Sequence, residues 1–72
     1  MRWIVKTSLD GRVFYDVTCE GRPPIPERGA EIFIPVDDHY ESGVVSEVSV
    51  EESRSPAVLR VTCFNAETYA KS

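Results

Sequence analysis

The sequence contains few of the residues on which enzyme and metal chemistry depend. Its 72 residues include one histidine, two cysteines and four glycines. They form no Cys-x-x-Cys pair, no Gly-x-Ser-x-Gly elbow and no glycine-rich phosphate loop. A nucleophilic cysteine needs an electropositive, partly exposed setting, but neither Cys19 nor Cys63 has a Lys or Arg two residues away along its strand. The sequence therefore predicts a protein that is not an enzyme and that uses no cofactor.

Long apolar segments are also missing. The longest uncharged apolar run, residues 32–36, is far shorter than the roughly 20 residues of a membrane span. Lys6 interrupts the apolar start of the chain, and neither a hydrophobic stretch nor a small-residue cleavage site follows it, as a signal peptide requires. We therefore expect no membrane association and a cytoplasmic location, in which two isolated cysteines remain free thiols.

Basic residues are absent from the middle of the chain. Residues 29–53 carry seven acids and no Lys or Arg, within a net charge of −4. Such a stretch repels phosphates, and the basic residues elsewhere are not clustered as a nucleic-acid site requires. The simplest interpretation is a solubilising surface. The alternative is an inhibitor or adaptor that docks on the basic surface of a partner through a candidate acidic surface: Asp37, Asp38, Glu41, Glu47, Glu51 and Glu52.

One short segment combines several groups that bind metals. Residues 37–41 hold two aspartates, His39, a tyrosine and a glutamate. The EF-hand spacing is absent, and a structural zinc site needs four ligands, usually with sulfur among them. We therefore expect a solvated loop and no metal.

The first 20 residues alternate between apolar and polar side chains. A period of two predicts half-buried strands. Asp10-Gly11 lies between the two runs and predicts a tight hairpin turn, because glycine tolerates positive φ. Trp3 and Tyr15 are expected to be the largest inward-facing side chains. The predicted inward positions are Trp3, Val5, Thr7 and Leu9 in the first strand, and Val13, Tyr15, Val17 and Cys19 in the second.

A proline-rich segment, residues 20–26, interrupts this pattern. Its three prolines cannot donate hydrogen bonds to a neighbouring strand, and they favour an extended, polyproline-like path. We expect a stiff connector that Ile25 anchors to the core. A ligand for an SH3 or WW domain is the alternative.

Three further strands are predicted after the connector, near residues 31–36, 44–51 and 57–64. Gly43 precedes the middle strand. If its φ is positive, we expect a bulky residue at this position to destabilise the protein. Asn65 is a candidate cap for a short C-terminal helical turn. In the middle strand the predicted inward face comprises Val44, Ser46, Val48 and Val50, and in the last strand Ala57, Leu59, Val61 and Cys63.

These elements predict an all-β fold in one domain, residues 1–72. We expect a five-stranded small barrel or a strongly bent antiparallel sheet, made of an N-terminal hairpin and a three-stranded meander. The sequences Pro-Glu-Arg-Gly at 26–29, Ile-Phe-Ile at 32–34 and Tyr-Glu-Ser-Gly-Val-Val at 40–45, followed by Val48, resemble SH3-like small barrels of the Tudor and KOW type. The resemblance covers about residues 26–50 and implies a fold rather than a function, since such barrels host many functions.

Apolar residues also occur out of phase with the predicted core, roughly one in each strand. A second apolar face of this size typically marks a protein interface, although bending of the strands or cover by the connector and the C-terminal turn would also account for it. The leading hypothesis is a non-enzymatic module that binds a protein partner, or a second copy of itself, through this face. Weak nucleic-acid binding through Arg2, Lys6 and Arg12 of the first hairpin is the least favoured hypothesis. The candidate interface residues are Ile4, Phe14, Phe33, Val45, Val58 and Phe64.

Overall fold

The computed structural model describes residues 1–71, which form one five-stranded sheet and one short helix. The strands lie in the order β2-β1-β5-β4-β3, and the sheet curls into a half-barrel. This confirms the all-β class and the small, barrel-like architecture. The elements are β1 (Arg2–Leu9), β2 (Val13–Glu20), β3 (Glu31–Val36), β4 (His39–Glu51), β5 (Ala57–Phe64) and α1 (Ala66–Lys71).

The first hairpin forms as predicted. Asp10 and Gly11 have φ values of 56° and 70°, and the Arg12 N–H donates to the Leu9 carbonyl at 3.1 Å. Two consecutive positive φ values are typical of a primed turn, whose twist matches that of the strands it joins. The strands β1 and β2 then pair without interruption from Leu9↔Val13 to Arg2↔Glu20.

The sheet is mixed rather than antiparallel. The strands β3, β4 and β5 form the expected antiparallel meander, but β5 pairs with β1 in parallel, with Trp3 opposite Ala57 and Leu9 opposite Cys63. This arrangement makes β5 the central strand, flanked by β1 on one side and β4 on the other. The central position agrees with its first three residues, Ala57, Val58 and Leu59, which are apolar and buried. It also places β2 and β3 at opposite edges, so residues 21–30 have to cross from one edge of the sheet to the other.

The core lies on the inner face of the curled sheet. Trp3 is buried there, as expected. Tyr15 lies on the predicted inner face, opposite Thr7, but it is 38% exposed, and Ile25 is 41% exposed, so neither residue belongs to the core. Tyr15 lies on an edge strand with a neighbour on one side only, and Ile25 lies in the connector beyond the sheet. The buried cluster comprises Trp3, Leu9, Ile34, Val45, Ala57, Leu59, Val61 and Cys63.

A β-bulge in β4 reverses the predicted orientation of its first half. Val45 is opposite Cys63 and Glu47 is opposite Thr62, so Ser46 is an extra residue without a partner in register. One extra residue moves every preceding side chain to the other face of the sheet. Val45 therefore faces the core and Val44 does not, which corrects the assignment of Val44 to the inward face.

The C-terminal helical turn is present as α1. Its cap is the predicted one, because Asn65 Oδ1 accepts a hydrogen bond from the Thr68 N–H at 2.8 Å. The helix packs against β4 and β5. Within residues 1–71, no helix is long and apolar enough to cross a membrane.

Candidate binding edge and groove

Two of the six candidate interface residues are buried inside this chain. Val45 is fully buried on the inner face, because the bulge reverses its orientation. Val58 faces outward but is only 5% exposed, because it lies on the central strand between Ile4 of β1 and Glu51 of β4. Neither residue can belong to a surface patch, and the prediction is corrected at these two positions.

The other four candidates are not brought together. Ile4 and Phe64 are half-buried, whereas Phe14 and Phe33 are 72% and 67% exposed. Phe14 lies on β2 and Phe33 on β3, at opposite edges of the sheet. Three strands lie between these two edges in the sheet, although its curl brings parts of β2 and β3 close together. The outer face therefore does not carry one continuous patch that includes all six residues.

Exposed apolar side chains concentrate instead on the edge strand β2. Phe14, Tyr15 and Val17 are 72%, 38% and 42% exposed, and they lie on both faces of this strand. Within residues 1–71, no strand pairs with the open side of β2. Natural edge strands are usually protected by proline, lysine, a bulge or shortness. The opposite edge, β3, is only six residues long and contains Pro35, whereas β2 has eight residues, no proline, no lysine and no bulge, and its charged residues are Asp16 and Glu20.

The hydrogen-bonding groups that β2 leaves open can be identified from its ladder. The Gly21 N–H donates to the Met1 carbonyl at 2.7 Å, which makes Met1 and Gly21 a hydrogen-bonded pair. Such pairs alternate in an antiparallel ladder, so the odd-numbered residues of β2 bond to β1. The N–H and C=O groups of the even-numbered residues therefore point to the open edge. These residues are Phe14, Asp16, Thr18 and Glu20.

An apolar groove of about 590 Å³ lies beside this edge, between the inner face of the sheet and the proline-rich connector. Pro23 and Pro26 are half-buried, while Pro24 and Ile25 are exposed. Three of these four residues lack an N–H, so the connector covers the groove without extending the sheet. The lining comprises Val5, Thr7, Val17, Cys19, Glu20, Arg22, Pro23, Pro24, Ile25, Pro26, Ile32, Leu59 and Val61.

The charged groups at the groove are compensated within the chain. Glu20 Oε1 lies 3.6 Å from Arg2 Nε, and Arg22 forms an ion pair with Glu52. The Arg22 guanidinium also lies over the Trp3 ring, 5.3 Å from its centroid. The groove therefore favours apolar groups over charged ones.

The two cysteines lie at opposite ends of the sheet. Cys19 is opposite Trp3 and Cys63 is opposite Leu9, six residues apart along β1, which corresponds to about 20 Å. Both thiols are free, and this distance is far beyond the reach of a disulfide. Burial raises the pKa of the Cys63 thiol, whereas Cys19 is half-buried at the groove.

The candidate acidic surface extends along β4 instead of forming one cluster. Asp37 and Asp38 lie in the turn before this 13-residue strand, and Glu51 and Glu52 lie at its far end. Asp38 and Glu41 flank His39 at 3.4 and 3.3 Å.

Two of the remaining acids are paired with arginines. Glu51 lies 3.8 Å from Arg54, and Glu52 is paired with Arg22. Glu47 faces outward opposite Thr62. Among residues 1–71, no three His, Cys, Asp or Glu side chains are placed so that they could hold a metal ion.

The basic residues of the first hairpin each have an acidic neighbour. The shortest N···O distances are 3.6 Å for Arg2–Glu20, 3.1 Å for Lys6–Asp16 and 3.9 Å for Arg12–Asp10. A phosphate would have to compete with these carboxylates for the same cations.

The chain matches no protein-family model, no curated protein and no solved structure. Its function therefore has to be inferred from the geometry of the sheet edge and the groove.

Proposed function

We propose that the protein is a small non-enzymatic binding module that takes up an extended segment of a protein partner as a sixth strand along β2. The observation that supports this function is the open edge of β2, an eight-residue strand without proline, lysine or a bulge, whose even-numbered residues point their backbone donors and acceptors outward. In strand addition, main-chain hydrogen bonds supply affinity and alternate side chains supply specificity.

The groove gives this edge a means of selecting its partner. Val17 and Cys19 belong both to β2 and to the groove lining, so every second side chain of an added strand would lie at the mouth of the groove. Because Glu20 and Arg22 are already paired, apolar side chains are favoured there. The expected partner segment is extended, about as long as β2, and apolar at every second position.

A selection experiment with a matched control tests this function. Eight-residue peptides displayed on phage would be selected on the wild-type protein and counter-selected on Thr18→Pro. The Thr18 N–H points to the open edge, so proline removes a donor that an added strand needs and leaves the bonds to β1 intact.

We expect enrichment of peptides with a period of two in apolar residues, and at least tenfold weaker binding (on the order of 1.4 kcal/mol) to Thr18→Pro than to Thr18→Ala. Equal binding to both variants, or no enrichment on the wild-type protein, would contradict strand addition at β2.

We propose a cytoplasmic location, which agrees with two free thiols that lie too far apart to form a disulfide. A relationship to Tudor or KOW barrels is supported by the curled five-stranded sheet, but the parallel pairing of β1 and β5 departs from the antiparallel barrel that we expected.

A further inference from the structure

We propose that the strand taken up by β2 is the β2 strand of a second copy of this chain, paired antiparallel about a two-fold axis that passes Val17. This inference rests on the proposed function, because it requires the open edge of β2. A two-fold interface is self-complementary, so a single exposed strand can supply both halves of it. The result would be one continuous ten-stranded sheet.

The even-numbered residues limit the possible registers. They carry the outward N–H and C=O groups, so they have to face even-numbered residues of the other copy. With Asp16 opposite Asp16 of the second copy, two carboxylates face each other. With Thr18 opposite Thr18 of the second copy, Asp16 faces Glu20, which again opposes like charges. Like charges directly opposite each other destabilise a sheet.

The register centred on Val17 avoids both conflicts and is the longest that does so. It places Asp16 opposite Thr18 of the second copy and Phe14 opposite Glu20, so that no two acids of β2 face each other. On the inner side, Val17 lies opposite Val17 of the second copy, and Tyr15 lies opposite Cys19 of the second copy. The row of side chains beside the groove is therefore apolar throughout. Asp16 also keeps its ion pair with Lys6 of its own chain, at 3.1 Å.

The expected association is weak. A contact formed mainly by one eight-residue strand lies at the small end of specific interfaces, which are typical of weak, transient association. Sedimentation equilibrium between about 10 μM and 1 mM is suited to detecting weak association.

Sedimentation of three proteins tests the surface that is used. We expect a monomer–dimer equilibrium for the wild-type protein and for Thr18→Ala, and at least tenfold weaker dimerisation (on the order of 1.4 kcal/mol) for Thr18→Pro. A wild-type protein that stays monomeric at the highest concentration overturns the inference. Dimerisation that is equally strong in Thr18→Pro also overturns it, because the contact then lies elsewhere.

Cross-linking tests the register without relying on a proline substitution. Val17→Cys, made with Cys19→Ser, would place two thiols opposite each other in a non-hydrogen-bonded pair, whose Cα separation of about 4.5 Å suits a disulfide. Thr18→Cys in the same background is the control, since its two thiols would be diagonal, with Cα atoms about 7–8 Å apart. The remaining native thiol, Cys63, is buried.

We expect rapid disulfide-linked dimers for Val17→Cys under mild oxidation and few for Thr18→Cys. The reverse pattern, or equal yields, overturns the register centred on Val17. If selected peptides bind at β2 while the full chain remains monomeric, the second copy is rejected as the partner and the proposed function stands. If neither binds, both proposals are rejected.

Discussion

The carboxylate of Asp10 accepts two hydrogen bonds from Asn65, one from the backbone N–H at 2.9 Å and one from Nδ2 at 3.2 Å. Asp10 is also a turn residue with positive φ, and its own N–H donates to the Cys63 carbonyl at 3.0 Å. Asn65 in turn caps α1 through Thr68. The first hairpin turn thereby fixes the point at which the last strand ends and the helix begins.

Replacement of Asn65 by alanine should destabilise the protein. The change removes the helix cap and the side-chain bond to Asp10, so we expect the free energy of unfolding to fall by about 1–2 kcal/mol. Urea denaturation measures this loss. Thr68→Ala is the matched control because Thr68 contributes only its backbone N–H, and it should change stability by less than about 0.5 kcal/mol. Equal losses for the two variants would show that the cap is not the cause.

A methyl group at Gly43 should overpack the core. Gly43 is not among the residues with positive φ, so backbone freedom is not the reason for its small size. A Cβ placed there would lie 2.9 Å from Leu9 Cδ1 and 3.0 Å from Cys63 Cβ. We expect Gly43→Ala to cost about 1–3 kcal/mol in urea denaturation.

The Leu9→Ala background separates this steric cause from a backbone effect. With the Leu9 contact removed, the cost of Gly43→Ala should shrink, because the two changes share the same space. Strict additivity of the two substitutions would argue against overpacking.

Local features of this fold could be predicted from the sequence, and features that depend on distant residues could not. The turn at Asp10-Gly11 and the cap at Asn65 involve neighbours in the chain, so residue type alone indicates them. The bulge that reverses Val45 has no comparable local signal, because it is defined by the register with β5. Alternation likewise assigns Tyr15 to a face of its strand but does not reveal whether another element covers that face.

The candidate site illustrates the same limit. The sequence correctly marks Phe14 and Phe33 as apolar residues outside the core. It does not give the strand order, which separates these two residues and leaves β2 at an open edge. The parallel pairing of β1 with β5 determines that order, and it joins residues more than 50 positions apart.

Truncation of Trp3 should unfold much of the protein. Trp3 is 2% exposed, so Trp3→Ala should cost about 3–5 kcal/mol, close to the total stability of many small domains. Thermal unfolding followed by circular dichroism measures the effect. Phe14→Ala is the control, because it removes an aromatic ring that is 72% exposed and should leave the midpoint nearly unchanged. A large loss in Phe14→Ala would show that β2 packs more tightly than the structure indicates.

The stability of the protein should fall at alkaline pH because of Cys63. Burial raises the pKa of this thiol above its ordinary value of 9.0, so the folded state holds the proton more tightly than the unfolded state does. The contribution of Cys63 is therefore fully present below pH 9.0 and is lost as the pH rises from there through the raised pKa.

Urea denaturation of wild type and Cys63→Ala between about pH 7 and 10.5 isolates this effect, since every other ionisable group is present in both proteins. Below about pH 8.5 the wild type should be more stable by a constant amount, because alanine leaves a cavity. The difference in stability between the two proteins should shrink at higher pH, because only the wild type has the buried Cys63 thiol, which must stay protonated in the folded state. A difference that stays constant over the whole range would mean that the Cys63 thiol ionises as readily in the folded protein as in the unfolded one.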